Sequence, residues 1–182
     1  MSVYVVEGPD GAGKSTLVNA LKTADESIAT LHPGKPPTSY EALLEMLNEQ
    51  MTQLPKGTFV YDRVSCISEW VYRPFRLDLK ADQENEVAVY FSLLEAQMMM
   101  SLHLDWTIIY CRPNHDAILR NCTQFTEHDT DETQEVVRKH MLEIIRSYDA
   151  TMDRLRAFGC TVINYDYEND LAEQFITAMV SS

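Results

Sequence analysis

The residues Gly8-Pro9-Asp10-Gly11-Ala12-Gly13-Lys14-Ser15 satisfy the pattern GxxxxGK[ST] in full. They lie between a short β-branched and aromatic run, Ser2 to Val6, and a helix-like segment, TLVNALK, which is the strand-to-helix context the pattern requires. Such a junction dictates much of what surrounds it. The glycines let consecutive backbone N–H groups curl around phosphate oxygens, and the new helix aims its positive end at the same point. Lys14 then neutralises the terminal phosphates, Ser15 offers an oxygen to Mg²⁺, and Thr16 follows in the same turn. The implied ligand is a nucleoside triphosphate with Mg²⁺, held by Gly8, Gly11, Ala12, Gly13, Lys14, Ser15 and Thr16. A chance glycine turn would not require a lysine followed by a hydroxyl residue.

Further short apolar runs recur from Ile28 to His32, Thr58 to Asp62, Trp106 to Cys111 and Cys160 to Asn164, with longer helical stretches between them. Apolar residues repeat at helical spacing in three of those stretches: Leu43, Leu47, Met51 and Leu54; Val87, Tyr90, Phe91, Leu94 and Met98; and Val137, Met141, Ile144, Tyr148, Met152 and Leu155. Five strands alternating with such helices predict a parallel sheet, and right-handed crossovers make it the middle layer of a three-layer α/β sandwich. The Met98-Met99-Met100 run reads as core and helix-end filler. From Leu31 to Tyr40, Pro33, Gly34, Pro36 and Pro37 predict a stiff loop. With 182 residues against about 150 per domain, a single domain over 1–182 is expected.

Charge narrows the partners. Fifteen basic residues against 28 acidic ones give a net charge of −13, which repels a phosphate polymer and disfavours nucleic-acid binding. Cys66, Cys111, Cys122 and Cys160 are scattered, with no CxxC pair, and read as reduced thiols of a cytoplasmic protein. His103, His115, His128 and His140 form no metal or triad pattern. The opening MSVYVVEGPD lacks a basic leader, and no apolar run reaches the roughly 18 residues of a membrane span, so neither export nor a membrane is expected.

The third apolar run closes on Phe59-Val60-Tyr61-Asp62-Arg63, placing a carboxylate and a guanidinium at the carboxyl edge of the sheet, where open α/β sheets bind ligands. Asp62 is suited to a magnesium-bound water and Arg63 to a phosphate, which its planar fork can grip in a bidentate manner.

Together these segments resemble the thymidylate kinase family and its phage-like members. VYVVEGPDGAGKST is similar to the family's EGxDGxGKST opening, FVYDR to its DR motif, and SEWVY to the SExVY that follows DR in the phage-like members. The resemblance covers the opening residues specifically and residues 59 to 74 moderately; elsewhere it lies in layout. It implies a P-loop kinase type of sandwich and transfer of the ATP γ-phosphoryl group to a deoxynucleoside 5′-monophosphate, dTMP foremost. It also implies that Lys14 and Ser15 take the triphosphate and Mg²⁺, that Asp10 approaches the acceptor sugar hydroxyl, that Asp62 supports the metal and that Arg63 binds the acceptor phosphate. Trp70, Tyr72 and Phe75 are then candidates to stack an acceptor base, with Arg73 or Arg76 reading its edge or phosphate, against the alternative that they anchor a helix in the core. Family members commonly dimerise, so a homodimer is implied too, although the helix patterns do not separate a dimer face from a sheet-packing face.

Two departures from the family stand out. Its transition-state arginine comes from inside the phosphate loop or from a lid after strand four; Gly11-Ala12 excludes the first source, which leaves a lid around residues 112–135. After Arg120 that segment, NCTQFTEHDTDETQE, has no Lys or Arg and five acids, Glu127, Asp129, Asp131, Glu132 and Glu135. Those carboxylates suit the start of the following helix. The clamp is then absent or falls to Arg112, Arg120, Arg138 or Lys139, Arg120 being the candidate for contact with ATP. The family's arginine-bearing REPG element appears as Leu31-His32-Pro33-Gly34, without the arginine.

Other functions remain open at this level. A nucleoside kinase needs a carboxylate base near the hydroxyl it phosphorylates. Kinases resembling this fold place that base after strand two, where this chain has His32-Pro33, leaving Asp10, Asp62 and Glu69. A monophosphate acceptor is already ionised and needs no base. A hydroxyl on a modified base within DNA is disfavoured by the charge, and a non-catalytic nucleotide-binding protein would have no use for an acceptor-phosphate arginine.

Overall fold

The structure is a computed structural model that describes residues 3–32, 34, 57–76, 106–122 and 137–180, with 42, 45, 46, 48, 49, 92 and 135 individually. Its described elements with defined bounds are β1 (Val3–Glu7), α1 (Lys14–Ala24), β2 (Ala29–Leu31), β3 (Phe59–Asp62), α2 (Ser65–Arg76), β4 (Trp106–Cys111), α3 (His115–Cys122), α4 (Met141–Ala157), β5 (Thr161–Tyr165) and α5 (Ala172–Val180). The strands form one five-stranded sheet in the order β2-β3-β1-β4-β5, and every pairing is parallel. The expected sandwich is therefore present, with β1 central and its carboxyl end opening into the glycine loop.

Strand periodicity sorts the core into two halves. Val3, Val5, Phe59, Tyr61, Ile108 and Tyr110 point to one face, where they meet Ile67, Val71 and Tyr72 of α2 and Ile144, Tyr148 and Met152 of α4. Val6, Val60, Ile109 and Cys111 point to the other and pack on Leu17, Val18 and Leu21 of α1 and Ile176 of α5. Sheet residues apolar on both faces need helices on both faces, which the crossovers supply.

Three local expectations shift. β1 runs one residue further than the apolar run, so Glu7 is part of the strand. β5 lies one residue later than expected, and Tyr165 is buried as its last member. The helix anticipated from Val137 is interrupted: residues 137–139 are helical, the chain turns at His140 (φ −113°), and α4 starts at Met141. There the His140 ring lies 5.4 Å from that of Phe75. Residues 45, 46, 48 and 49 are helical within the helix expected through Leu43–Leu54, and residue 92 within that expected through Val87–Met98. The rest of both stretches, their apolar stripes included, the Met98–Met100 run, most of the proline loop and the acidic lid from 123 to 134 fall outside the described residues. Among the described residues, no helix is long and apolar enough to cross a membrane. All four cysteines are free thiols.

Candidate active site

The phosphate loop leaves β1 at Gly8, and its glycines are fixed by what surrounds them. A Cβ on Gly8 (φ 145°) would stand 2.5 Å from the Cys111 carbonyl oxygen at the end of β4, and one on Gly13 (φ 82°) would meet the Tyr167 ring at 2.7 Å. Neither position admits another residue without displacement of its neighbour. Three side chains brace the loop from outside. The Asn121 amide donates to the Gly11 carbonyl (2.8 Å) and to the Tyr167 hydroxyl (2.7 Å), the Cys122 thiol donates to the Asp10 carbonyl (3.2 Å), and the Asp10 N–H donates to the Tyr72 hydroxyl (2.9 Å).

Lys14 is buried at the start of α1, and its ammonium donates to the Pro9 carbonyl at 2.6 Å. Burial, reinforced by the Arg63 charge, lowers its pKa to about 8, against the opposing pull of Asp10, Cys111 and Glu7. A cation so poorly solvated gains strongly from an arriving anion. Ser15 and Thr16 are exposed on the same helical turn, and Asp62 is half-buried at the end of β3. Ser15 and Asp62 supply hard oxygen donors of the kind Mg²⁺ takes, one or two per site with phosphates and waters completing the shell. Among the described residues no three His, Cys, Asp or Glu side chains gather as a metal cluster.

Arg63 follows Asp62 with φ 73°, a left-handed conformation that costs a side-chain-bearing residue about 1 kcal/mol or more. Its N–H donates to the Val6 carbonyl (3.1 Å), and the next N–H, that of Val64, donates to Glu7 Oε1 (2.7 Å). The guanidinium lies over the Tyr72 ring, 5.7 Å from its centroid, and is ion-paired with Asp10. Burial would lower its pKa, but Asp10 raises it well above the ordinary value. Asp10 and Arg63, assigned separate roles from sequence, thus meet directly between the phosphate loop and the end of β3.

Glu7 is the residue that sequence reasoning missed. It is wholly buried, and besides the Val64 N–H it accepts from the Tyr148 hydroxyl (3.2 Å) and from the Ser68 hydroxyl, 3.3 Å from each carboxylate oxygen. Burial raises its pKa, while the Val64 N–H, Arg63, Lys14 and Tyr148 hold it down. The available signal was parity: Glu7 is in phase with Val3 and Val5, so a carboxylate stands where the strand pattern calls for a core residue.

The aromatic candidates divide in favour of the core. Tyr72 is 1% exposed, and its ring packs edge-on against Tyr148. Trp70 lies under the Arg154 guanidinium, and Phe75 faces His140. Arg73 pairs with Glu69 at 3.7 Å one turn away along α2, and the side chain of Arg76 is outside the described residues. Two of the clamp candidates are also engaged. Arg112 grips Asp149 through Nε (2.8 Å) and Nη2 (3.1 Å), with the Tyr110 hydroxyl donating to the same carboxylate (2.7 Å). Arg120 donates to Glu168 at 2.8 Å. Arg138 and Lys139 are exposed in the helical stretch 137–139, before the turn at His140. The Arg138 charge is felt at Cys122, whose thiol is pushed up to about 11 by burial and Asp10 while Lys14 and Arg138 pull it down.

No protein-family model matches the sequence, and no curated protein matches it either. Solved structures do. The YorR protein of Bacillus subtilis, described in complex with phosphorylated GDP, superposes with a TM-score of 0.66 at 15% identity over 99% of this chain and 94% of its own. Deoxyadenosine kinase from M. mycoides with bound dCTP gives 0.68 at 14% identity over 99% and 100%, and the same enzyme with dCMP and dCDP gives 0.66 at 14% over 98% and 96%. The sheet order and the matches over nearly the whole chain show the fold of P-loop kinases.

Proposed function

We propose that the protein is an ATP- and Mg²⁺-dependent kinase that converts a deoxynucleoside 5′-monophosphate, dTMP foremost, to its diphosphate. The observation that carries this reading is the convergence of Lys14, Asp10 and Arg63 at the carboxyl ends of β1 and β3, with a buried cation on the donor side and a supported arginine opposite it. In the reaction, a phosphate oxygen of the monophosphate attacks the γ-phosphorus of ATP, the bond to the β-phosphate oxygen breaks, and ADP leaves. The acceptor's second ionisation has a pKa of about 6, so its nucleophile is present at neutral pH without a general base.

Lys14 and the loop N–H groups hold the β- and γ-phosphates, and Arg63 exchanges its Asp10 partner for the acceptor phosphate. Asp10, released, is free to accept from the acceptor sugar hydroxyl. Mg²⁺ bound near Ser15 and Asp62 supplies neutralisation of the charge that develops on the phosphates. Arg112 and Arg120 already hold carboxylates and would have to release them to serve as the lid clamp, a role for which Arg138 and Lys139 are the other candidates.

A second reading has its own support: one neighbour in fold is named a deoxyadenosine kinase, and Asp10 or Asp62 would then act as base for a nucleoside hydroxyl. One experiment separates the two. The purified protein is incubated with ATP and Mg²⁺ against deoxynucleoside monophosphates and the matching nucleosides, and products are resolved by chromatography. A diphosphate formed from a monophosphate supports the first reading, a monophosphate formed from a nucleoside supports the second, and ATP binding with no transfer to either rejects both.

A further inference from the structure

Glu7 stands directly before the phosphate loop, where its charge favours the ammonium form of Lys14, but its hydrogen bonds lead to the acceptor side. The peptide units on either side of Arg63 are tied to consecutive residues of β1: the Arg63 N–H to the Val6 carbonyl, and the Val64 N–H to Glu7 Oε1. Between those two anchors Arg63 stands at φ 73°, a conformation that an arginine leaves unless its surroundings hold it. From that backbone the guanidinium reaches Asp10 and lies over Tyr72. A right-handed or extended Arg63 would start its side chain in another direction. The carboxylate is itself aimed, since Tyr148 of α4 holds Oε2 and Ser68 of α2 reaches both oxygens.

We propose that Glu7 is a positioning residue: by accepting the Val64 N–H it holds the turn at Arg63 in its left-handed form and so sets the guanidinium against the acceptor phosphate, an assignment that rests on the proposed role of Arg63. The work is done chiefly by an oxygen at the right reach, since an amide oxygen also accepts a backbone N–H, although less strongly than a carboxylate.

Two substitutions separate reach from charge. Glu7→Asp keeps the charge and withdraws the carboxylate by one carbon, about 1.5 Å; Glu7→Gln removes the charge and keeps an acceptor oxygen in place. Rates are measured with ATP and the monophosphate that the unaltered protein uses, and the Arg63 φ is read from crystal structures or backbone couplings of the same proteins. Glu7→Asp is expected to raise the acceptor KM about tenfold or more while the ATP KM stays within about threefold, with Arg63 leaving the left-handed region; Glu7→Gln stays within about threefold for both. In an Arg63→Ala background, Glu7→Asp adds no further loss, as expected for residues acting through one group.

The proposal is overturned if Glu7→Asp weakens ATP as much as the acceptor, if its loss adds to that of Arg63→Ala, or if Arg63 keeps its left-handed φ in the folded variant. Should Glu7→Asp not fold, Glu7→Gln decides: an acceptor KM raised as far as in Arg63→Ala overturns the proposal, and an unchanged one supports it. If the unaltered protein phosphorylates no monophosphate, the kinase reading fails by itself. The Arg63 φ and titration with inorganic phosphate, in the unaltered and Glu7→Asp proteins, then decide the role of Glu7.

Discussion

The two faces of the sheet reach the site by different means. On the α1/α5 face the machinery is backbone: glycines pressed against Cys111 and Tyr167, a loop carbonyl holding Lys14, and Asn121 bridging the loop to the segment after β5. On the α2/α4 face it is a set of buried side chains, in which Glu7, Ser68, Tyr72 and Tyr148 support one strained arginine. Backbone machinery asks for particular residues at particular spacings along a short stretch. A side-chain network asks for partners from three or four elements and leaves no local pattern. The faces should therefore separate functionally, the first governing the triphosphate and the second the acceptor.

The largest expected effect tests the first face. Lys14→Ala should lower ATP-dependent transfer by about 10³-fold or more with the fold intact by circular dichroism. Unchanged turnover would locate the chemistry elsewhere. The lysine also carries a pH signature. Its folded pKa of about 8 lies below its ordinary 10.5, so between those values the unfolded chain binds more protons and stability rises with pH. ATP affinity runs the other way, since the triphosphate wants the ammonium form and loses it as pH climbs past about 8. Thermal melting and calorimetric titration from pH 7 to about 10 should show these opposed trends, and Lys14→Ala should flatten both.

Arg63→Ala tests the second face and the separation itself. The acceptor kcat/KM should fall about 10²-fold while ATP affinity changes by no more than about threefold. Equal losses for both ligands would mean that the Asp10–Arg63 pair chiefly braces the phosphate loop, and the contrast between the faces would collapse.

How much of this was legible in the sequence follows the same divide. The loop from Gly8 to Ser15 and the DR at Asp62-Arg63 could be read because each is contiguous, and the alternation of short apolar runs with helix stripes pointed to the parallel sandwich because burial acts residue by residue along an element. Glu7 was half legible. Its parity with Val3 and Val5 marked it as buried, but its partners Ser68 and Tyr148 lie 61 and 141 residues away. The aromatic cluster of α2 could not be assigned from sequence at all, since a ring that stacks on a base and a ring that fills the core have the same spacing. Packing against Tyr148 places Tyr72 in the core, while Trp70 and Phe75 lie partly buried against it. The turn at His140 was hidden because the apolar stripe continues through it from Val137 to Met141.

The smallest expected effect concerns Arg112, a clamp candidate by sequence that the fold commits to Asp149, 37 residues on. Burial raises the Asp149 pKa, but Arg112 and the Tyr110 hydroxyl outweigh it and hold the carboxylate below its ordinary 3.8. A depressed carboxylate contributes stability above its unfolded pKa and loses it as pH falls through the folded one. Because Asp149 is 41% exposed, solvent screens the pair, and Asp149→Asn should cost about 1 kcal/mol at neutral pH. Denaturant titration should show that difference shrinking below pH 3.8, with acceptor and ATP kinetics within about twofold of the unaltered protein. A fall in kcat of about 10²-fold with both KM values unchanged would instead make Arg112 a transition-state cation that Asp149 positions. The α2/α4 face would then stabilise the transferring group as well as the acceptor.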